Sequence, residues 1–235
     1  MIRRVNSPEE LSVLPRKGIE AQKIRALLLA YGTKYDFCRF YVSEEVVLCE
    51  TDGSFVVCEL NERVDLSELA EFLGFVGFSE LFCSERVGGA LSKILKCNAQ
   101  RVNIMRFCGE PAEIDGVDRE PPLDEVFGIL AASFELDYGK WYTDMSHRIR
   151  HGVANARRLD GSALIIQHDI NGEALLSQIA TFPEQRGKGN ASRLILSVCA
   201  ELSESDVYVI CEDKLLRFYR KLGFDKVADK FVISA

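Results

Sequence analysis

The sequence predicts an α/β protein built as two similar halves, on three observations. Stretches with helical spacing of apolar residues alternate with short runs rich in Val, Ile, Phe and Cys, the mixture that gives a sheet flanked by helices. A segment rich in proline, glycine and acid, "CGEPAEIDGVDREPPLDE", breaks this alternation near the middle of the chain and reads as a linker. The order of elements ahead of it (helices, meander, helix, strand, helix, strand) then repeats after it. The expected division is therefore 1–109 and 110–235.

Each element has its own signal. Ser7 is an N-cap ahead of "PEEL", with Pro8 at the first helical position. Ile24, Leu27, Leu28 and Tyr31 give one face of a helix that begins at Ile19. "FCRFYV" and "EVVLCETDGSFVVCEL" read as strands, the latter a hairpin turning at Thr51-Asp52-Gly53. Asp65 caps the helix "DLSELAEFLGF"; "ELFCSE" is a strand, "VGGALSKILK" a helix and "QRVNIMRF" a strand. After the linker, Asp124–Phe134 and Asp137–Arg150 read as helices. "VANARRL" and "SALIIQHDI" read as strands, and Asn171-Gly172 turns the chain into "EALLSQIATF". Ala191, Leu194, Ile195, Val198 and Leu202 line one face of a helix, "DVYVIC" is a strand, "KLLRFYRKL" a helix, and "FDKVADKFVISA" closes with strand-like segments.

Composition excludes several functions. With 235 residues, 47% hydrophobic and 28% charged, the chain has the make-up of a protein with a sizeable core. A net charge of −7 argues against a nucleic-acid binder and leaves room for a cationic small substrate. No apolar run reaches the roughly 20 residues of a bilayer span, so no membrane partner is expected. "MIRRVNSPEEL" has no apolar stretch behind its basic residues, so no signal peptide is expected. The eight cysteines form no CxxC pair and mostly sit in apolar strand-like runs, which reads as buried thiols in a reducing cytoplasm. His147 and His151 stand four apart, but "HRIRH" lacks the glutamate of a zinc-protease motif, and no metal is expected.

The most informative stretch is "TFPEQRGKGNAS". A strand running into a glycine-rich loop and then a helix leaves unpaired N–H groups at the helix start, and the helix dipole makes them a seat for phosphate. Gly187 and Gly189 let the backbone approach an anion, and Arg186 and Lys188 add charge. The loop does not supply the Walker pattern, and "GKGNAS" ends on Ser192 where a dinucleotide fingerprint needs glycine. Arg186, Gly189 and Ala191 instead fill R-x-x-G-x-A. That pattern resembles the pyrophosphate loop of the GNAT superfamily of acyl-CoA-dependent N-acyltransferases. "KLLRFYRKLGF" is similar to the family's second motif, an aromatic–tyrosine pair followed by K-x-G-F. The resemblance covers roughly Leu123–Ala235, and the first half shares only the order of elements.

The resemblance implies a fold of two lobes, each a mostly antiparallel sheet with one splayed parallel strand pair flanked by helices, the first a degenerate copy without the glycine loop. It implies acetyl-CoA or another acyl-CoA as co-substrate and a small-molecule amine or peptide amine as acceptor. Ala180, Thr181 and Phe182 would pair with the pantetheine arm. Gln185, Arg186, Gly187, Lys188, Gly189, Asn190 and Ala191 would hold the diphosphate, and an N–H near Ala180 would polarise the thioester carbonyl. Tyr219 matches the general-acid tyrosine, although its spacing with Leu215, Phe218 and Leu222 also suits plain core. Glu212 stands seven residues ahead of Tyr219, where the family often has an asparagine that helps bind the cofactor. On the helix "WYTDMSHRIRHG", Trp141, Met145 and Ile149 form an apolar stripe, and Asp144, His147, Arg148 and His151 another face. Trp141, Asp144, His147 and His151 are the candidates for the acceptor groove, with His147 also a candidate catalytic group; a merely solvated face is the alternative. The expected activity is N-acetyl transfer by direct attack in a ternary complex. A non-catalytic acyl-CoA sensor is the rival reading, and oligomeric state is left open.

Overall fold

A computed structural model describes residues 1–235, which divide into two units: Met1–Ile104 with Ala228–Ala235, and Met105–Val227. The linker places the expected division at 109/110, five residues from the observed one at Ile104/Met105. The larger difference is at the end of the chain, where eight residues return to the first unit. Composition marks where a linker lies but not where a last strand finds its partner.

In the first unit, α1 (Ile19–Tyr31) precedes a meander of β2 (Cys38–Val42), β3 (Val46–Thr51) and β4 (Ser54–Glu59), with β1 (Arg3–Arg4) on the edge. Asp52 and Gly53 both hold positive φ, 50° and 83°, as a two-residue hairpin turn demands. The segment after Ser7 is a 3-10 helix, Pro8–Val13, tied down by Glu10, whose carboxylate accepts from the Asn6 and Ser7 amides. Helix α2 (Leu66–Val76) leads to β5 (Glu80–Ser84), which lies parallel to β4, and α3 (Glu85–Leu95) follows. Strands β6 (Asn98–Phe107) and β11 (Phe224–Ser234) each give residues to both units. In the first unit β11 pairs antiparallel with β5, from Lys230↔Ser84 to Ser234↔Glu80. Its Ile233 is buried with Leu48, Leu69, Leu73 and Leu81, so the returning strand completes that core.

In the second unit, α4 (Leu123–Ala131) and α5 (Tyr138–Arg150) are followed by β7 (Asn155–Leu159), β8 (Ser162–Ile170), β9 (Glu173–Thr181), α6 (Asn190–Glu201), β10 (Asp206–Cys211) and α7 (Leu216–Lys221). Strands β7, β8 and β9 form an antiparallel meander, and β10 lies parallel to β9. Asn171 and Gly172, at φ 55° and 75°, close the β8–β9 hairpin. One face of this sheet packs Leu164, Ile166 and Leu176 against Leu194, Ile195 and Val198 of α6. The other packs Ala163, Ile165 and Ala180 against Val126, Ile129 and Leu130 of α4 and Trp141 and Met145 of α5. Each large aliphatic side chain so buried contributes roughly 1.5–3 kcal/mol. At the C-terminal end of α6, Glu201 accepts from Arg157 Nε at 3.0 Å, and Arg157 Nη1 donates to the Arg119 carbonyl at 2.7 Å. No helix is long and apolar enough to cross a membrane.

Candidate functional site

The site begins with an irregularity in β9. Ser177 pairs with Ile165, but Ala180 pairs with Ala163, so Gln178 and Ile179 together oppose Leu164 alone. Gln178 takes φ +47°, a left-handed conformation that a non-glycine residue adopts only when its surroundings hold it. This bulge reverses the phase of the strand. Leu176 and Ile179 face α6, three residues apart, and Ala180 turns to α4 and α5. The parallel β9–β10 ladder runs from Glu173↔Asp206 to Leu176↔Val209 and stops just before the bulge. Both strands continue, β9 to Thr181 and β10 to Cys211, so they splay beyond that point.

Past the bulge, the Phe182 amide donates to the Gly161 carbonyl at 2.9 Å. The alternation of an antiparallel ladder then turns the Ala180 amide toward β8 and the Thr181 and Ile179 groups toward the open side. Two expectations are corrected here: Ala180 and Phe182 direct their amides at β8 and do not face the splay. Ile179, which the sequence reading passed over, faces it with Thr181. The Thr181 carbonyl accepts from Arg186 Nε at 3.1 Å.

The loop between β9 and α6 starts as a 3-10 turn, Pro183–Gln185, in which the Gln185 and Arg186 amides donate back to Phe182 and Pro183. From Gly187 through Ser192 the backbone N–H groups donate to nothing in the protein; the next, Arg193, bonds to the Gly189 carbonyl and starts the helical ladder. Of the expected Gln185–Ala191, the Gln185 and Arg186 amides are thus engaged, and the free donors run from Gly187 to Ser192. Gly187 and Gly189 hold φ of 78° and 81°, and a Cβ at either would meet nothing within 4 Å. Glycine is required there for backbone conformation, and the space in front of the loop is open. Gly189 is the N-cap of α6 and offers no side chain to fill the positive end of the helix. The fit to a diphosphate is direct: consecutive N–H donors, a helix start and open space.

Loop side chains are ordered by neighbours. Arg186 does not reach over the loop; its Nη2 donates to Ser133 Oγ at 3.0 Å, which with Thr181 makes it a strap across the end of β9. Lys188 Nζ donates to Gln185 Oε1 at 2.8 Å and is exposed, and Asn190 is buried. Ser133 carries no signal in the sequence that would have marked it.

The second motif divides into packing and chemistry. Gly223 approaches Gly109 so closely that a Cβ would lie 2.6 Å from the Gly109 Cα, so the glycine of K-x-G-F serves backbone contact. Tyr219 is buried with Phe218 and Phe224 at ring separations of 5.1 and 5.5 Å. Its hydroxyl makes no hydrogen bond within the protein. Burial, and then the neighbouring Cys211 thiol, push its pKa well above the ordinary phenol range, making it a weaker acid. Burial, then Asp213 and Glu212, push the Cys211 thiol up to about 11. Glu212 follows β10 and is paired with Lys214 Nζ at 2.7 Å, so its charge is met by a neighbour.

On α5 the expected groove residues separate. Trp141 is buried in the core, and its Nε1 donates to Gln178 Oε1 at 2.9 Å. It lies under the site and does not present its face to solvent. Asp144 accepts from Arg148 Nε at 2.8 Å. His147 and His151 lie side by side with ring centroids 4.3 Å apart, their planes tilted by 34°.

The first unit has a parallel pair of its own, from Ser54↔Glu80 to Val56↔Phe82, again with a helix between the strands. At the start of that helix, however, Asp65 accepts from the Ser67 and Glu68 amides at 2.9 and 3.1 Å. A carboxylate of the chain itself sits where an anion would otherwise bind.

No family model matches the sequence, and no curated protein does. Solved structures match at low identity. A Drosophila protein, 13% identical, covers 98% of its own length and all of this chain at a TM-score of 0.66. A GCN5-related N-acetyltransferase from Kribbella flavida, also 13% identical, aligns over 92% of this chain and 93% of its own with a TM-score of 0.63. A tandem GNAT protein from the clavulanic acid biosynthesis pathway, 13% identical, covers 100% of this chain and 98% of its own at 0.55. The chain has the fold of the GCN5-related N-acetyltransferases.

Proposed function

We propose that the protein is an N-acyltransferase that moves an acyl group, in the simplest case acetyl, from acyl-CoA to a primary amine of a small molecule or peptide. The observation that carries this is the run of unpartnered N–H groups from Gly187 to Ser192 at the mouth of a helix, beside a splayed strand pair. Those donors hold the diphosphate, and Thr181 pairs with the pantetheine arm. The Ile179 amide donates to the thioester oxygen as negative charge develops there, a contact able to contribute about 3 kcal/mol to the transition state.

Amine nitrogen forms a bond to the acyl carbon, the carbon–sulfur bond breaks, one proton leaves nitrogen and one joins sulfur. A buried phenol keeps its proton through neutral pH, so Tyr219 supplies a hydrogen bond to the departing sulfur. Full transfer from the phenol is uphill, because a thiol near pKa 8.5 is much the stronger acid, so the departing thiolate takes its proton from solvent. His147 serves as acceptor of the amine proton. Imidazole is the side-chain type that changes charge near neutral pH, and a Lys-like amine of pKa about 10.4 must lose a proton to attack. Direct attack is supported by Cys211, the thiol beside Tyr219, staying protonated at neutral pH.

Thiol release from acetyl-CoA across a panel of amino acids, polyamines, aminoglycosides and peptide N-termini tests the reading. Amine-dependent release by at least one class is expected. Binding without release by any class favours a sensor, and no binding of any acyl-CoA refutes the site.

A further inference from the structure

We propose that Trp141 is a positioning residue for the acyl-transfer step: its indole N–H holds Gln178 in the left-handed bulge and so fixes the phase of β9 beyond it. This rests on the acyltransferase reading above. The bulge decides which amides reach the open side of the splay. With it, Ile179 and Thr181 face that side; without it, a one-residue shift in phase would turn them toward β8 and present Ala180 in their place. An L residue at φ +47° is disfavoured, so something must hold Gln178 there. The structure supplies one specific contact, Trp141 Nε1 to Gln178 Oε1 at 2.9 Å. The indole itself is anchored in the core beside Phe127, at a ring separation of 5.5 Å, so the donor is fixed in place. Between the apolar runs Ala174–Leu176 and Ile179–Ala180, the polar Gln178 is explained by this role.

The test uses the full chain. Trp141→Phe keeps an aromatic ring in the core and removes the donor. Gln178→Gly removes the side chain but accepts a left-handed backbone without support. The expected result for W141F is a kcat reduced about 5- to 10-fold with the Kd for acetyl-CoA unchanged, since one net hydrogen bond is at stake. The double variant W141F/Q178G recovers most of the kcat lost in W141F, because glycine no longer needs the clamp. Loss from damaged packing would persist in the double variant. An unchanged kcat in W141F, or no recovery in the double variant, overturns the proposal while wild-type turnover leaves the acyltransferase reading standing. A wild-type protein that binds acetyl-CoA but acylates no amine removes both together. Hydrogen exchange at the Ala180 amide, which faces β8 in the wild type, gives a readout apart from activity: faster in W141F than in wild type if the clamp holds the bulge, equal if it does not.

Discussion

Replacing both loop glycines, Gly187→Ala with Gly189→Ala, separates backbone conformation from every other contribution to the site. At φ of 78° and 81° with nothing within 4 Å of a new Cβ, the substitutions introduce no clash, only a conformational cost of roughly 1–2 kcal/mol each. The strain is relieved where the chain is free to move. Helix α6 is fixed by Leu194 and Ile195, both fully buried, whereas Gly187, Lys188 and Gly189 are exposed, so the loop relaxes and the helix stays. Relaxation toward negative φ re-aims the N–H groups there. Each hydrogen bond to a charged partner contributes about 1.5–3 kcal/mol, so losing one weakens binding about tenfold or more. Gly152 is the matched control. It also has positive φ, 68°, and nothing within 4 Å, but lies after α5. Calorimetric titration with acetyl-CoA is expected to show the double variant at least tenfold weaker than wild type and Gly152→Ala unchanged. Urea unfolding is expected to show small losses in both. Binding of the double variant within about twofold of wild type, or equal weakening by Gly152→Ala, refutes the reasoning.

Three further outcomes follow from named contacts. Tyr219→Phe is expected to leave urea stability nearly unchanged, because its hydroxyl makes no hydrogen bond in the protein, while kcat falls about 10- to 100-fold and acetyl-CoA affinity holds; a measured stability loss with intact kcat would assign the tyrosine to packing alone. Asp65→Ala removes the cap of α2, with an expected cost of about 1 kcal/mol in urea unfolding and no change in acetyl-CoA affinity. Hydrogen bonding from Arg157 holds the Glu201 carboxyl below its usual range. A depressed folded-state value contributes stability that is present above the unfolded pKa, about 4.3, and is lost as pH falls through the folded one. Glu201→Gln is therefore expected to shrink the loss of urea stability between pH 6 and pH 3, and an unchanged pH dependence would count against the pair.

How far the sequence could be read depended on the range of the contacts involved. The Asp52-Gly53 and Asn171-Gly172 hairpins, the Asp65 cap and the Gly187–Gly189 loop are local, and each appears where the residues place it. The splay of β9 from β10 was implied only by the family resemblance that this loop carries. What was not legible depends on phase and on partners distant in sequence. A bulge at Gln178 shifts the strand by one residue, which moves the outward amides from Ala180 and Phe182 to Ile179 and Thr181. The polar pair Ser177-Gln178 inside an apolar strand was the one available sign of it. Trp141 reads as a groove residue from its helix face, yet its partner is thirty-seven residues away. Arg186 reads as a phosphate ligand, yet Ser133 and the Thr181 carbonyl hold it as a strap. The return of Ala228–Ala235 to the first unit is set by pairing with β5, which no local pattern encodes.

Calorimetry of the wild-type protein with CoA and with pantetheine, which carries the same thiol arm but no diphosphate, measures the seat at Gly187–Ser192 most directly. Loss of several charge-assisted hydrogen bonds is expected to leave pantetheine at least about 100-fold weaker than CoA. Equal affinity for the two ligands, or no affinity for CoA, would contradict the assignment of those amides to a diphosphate.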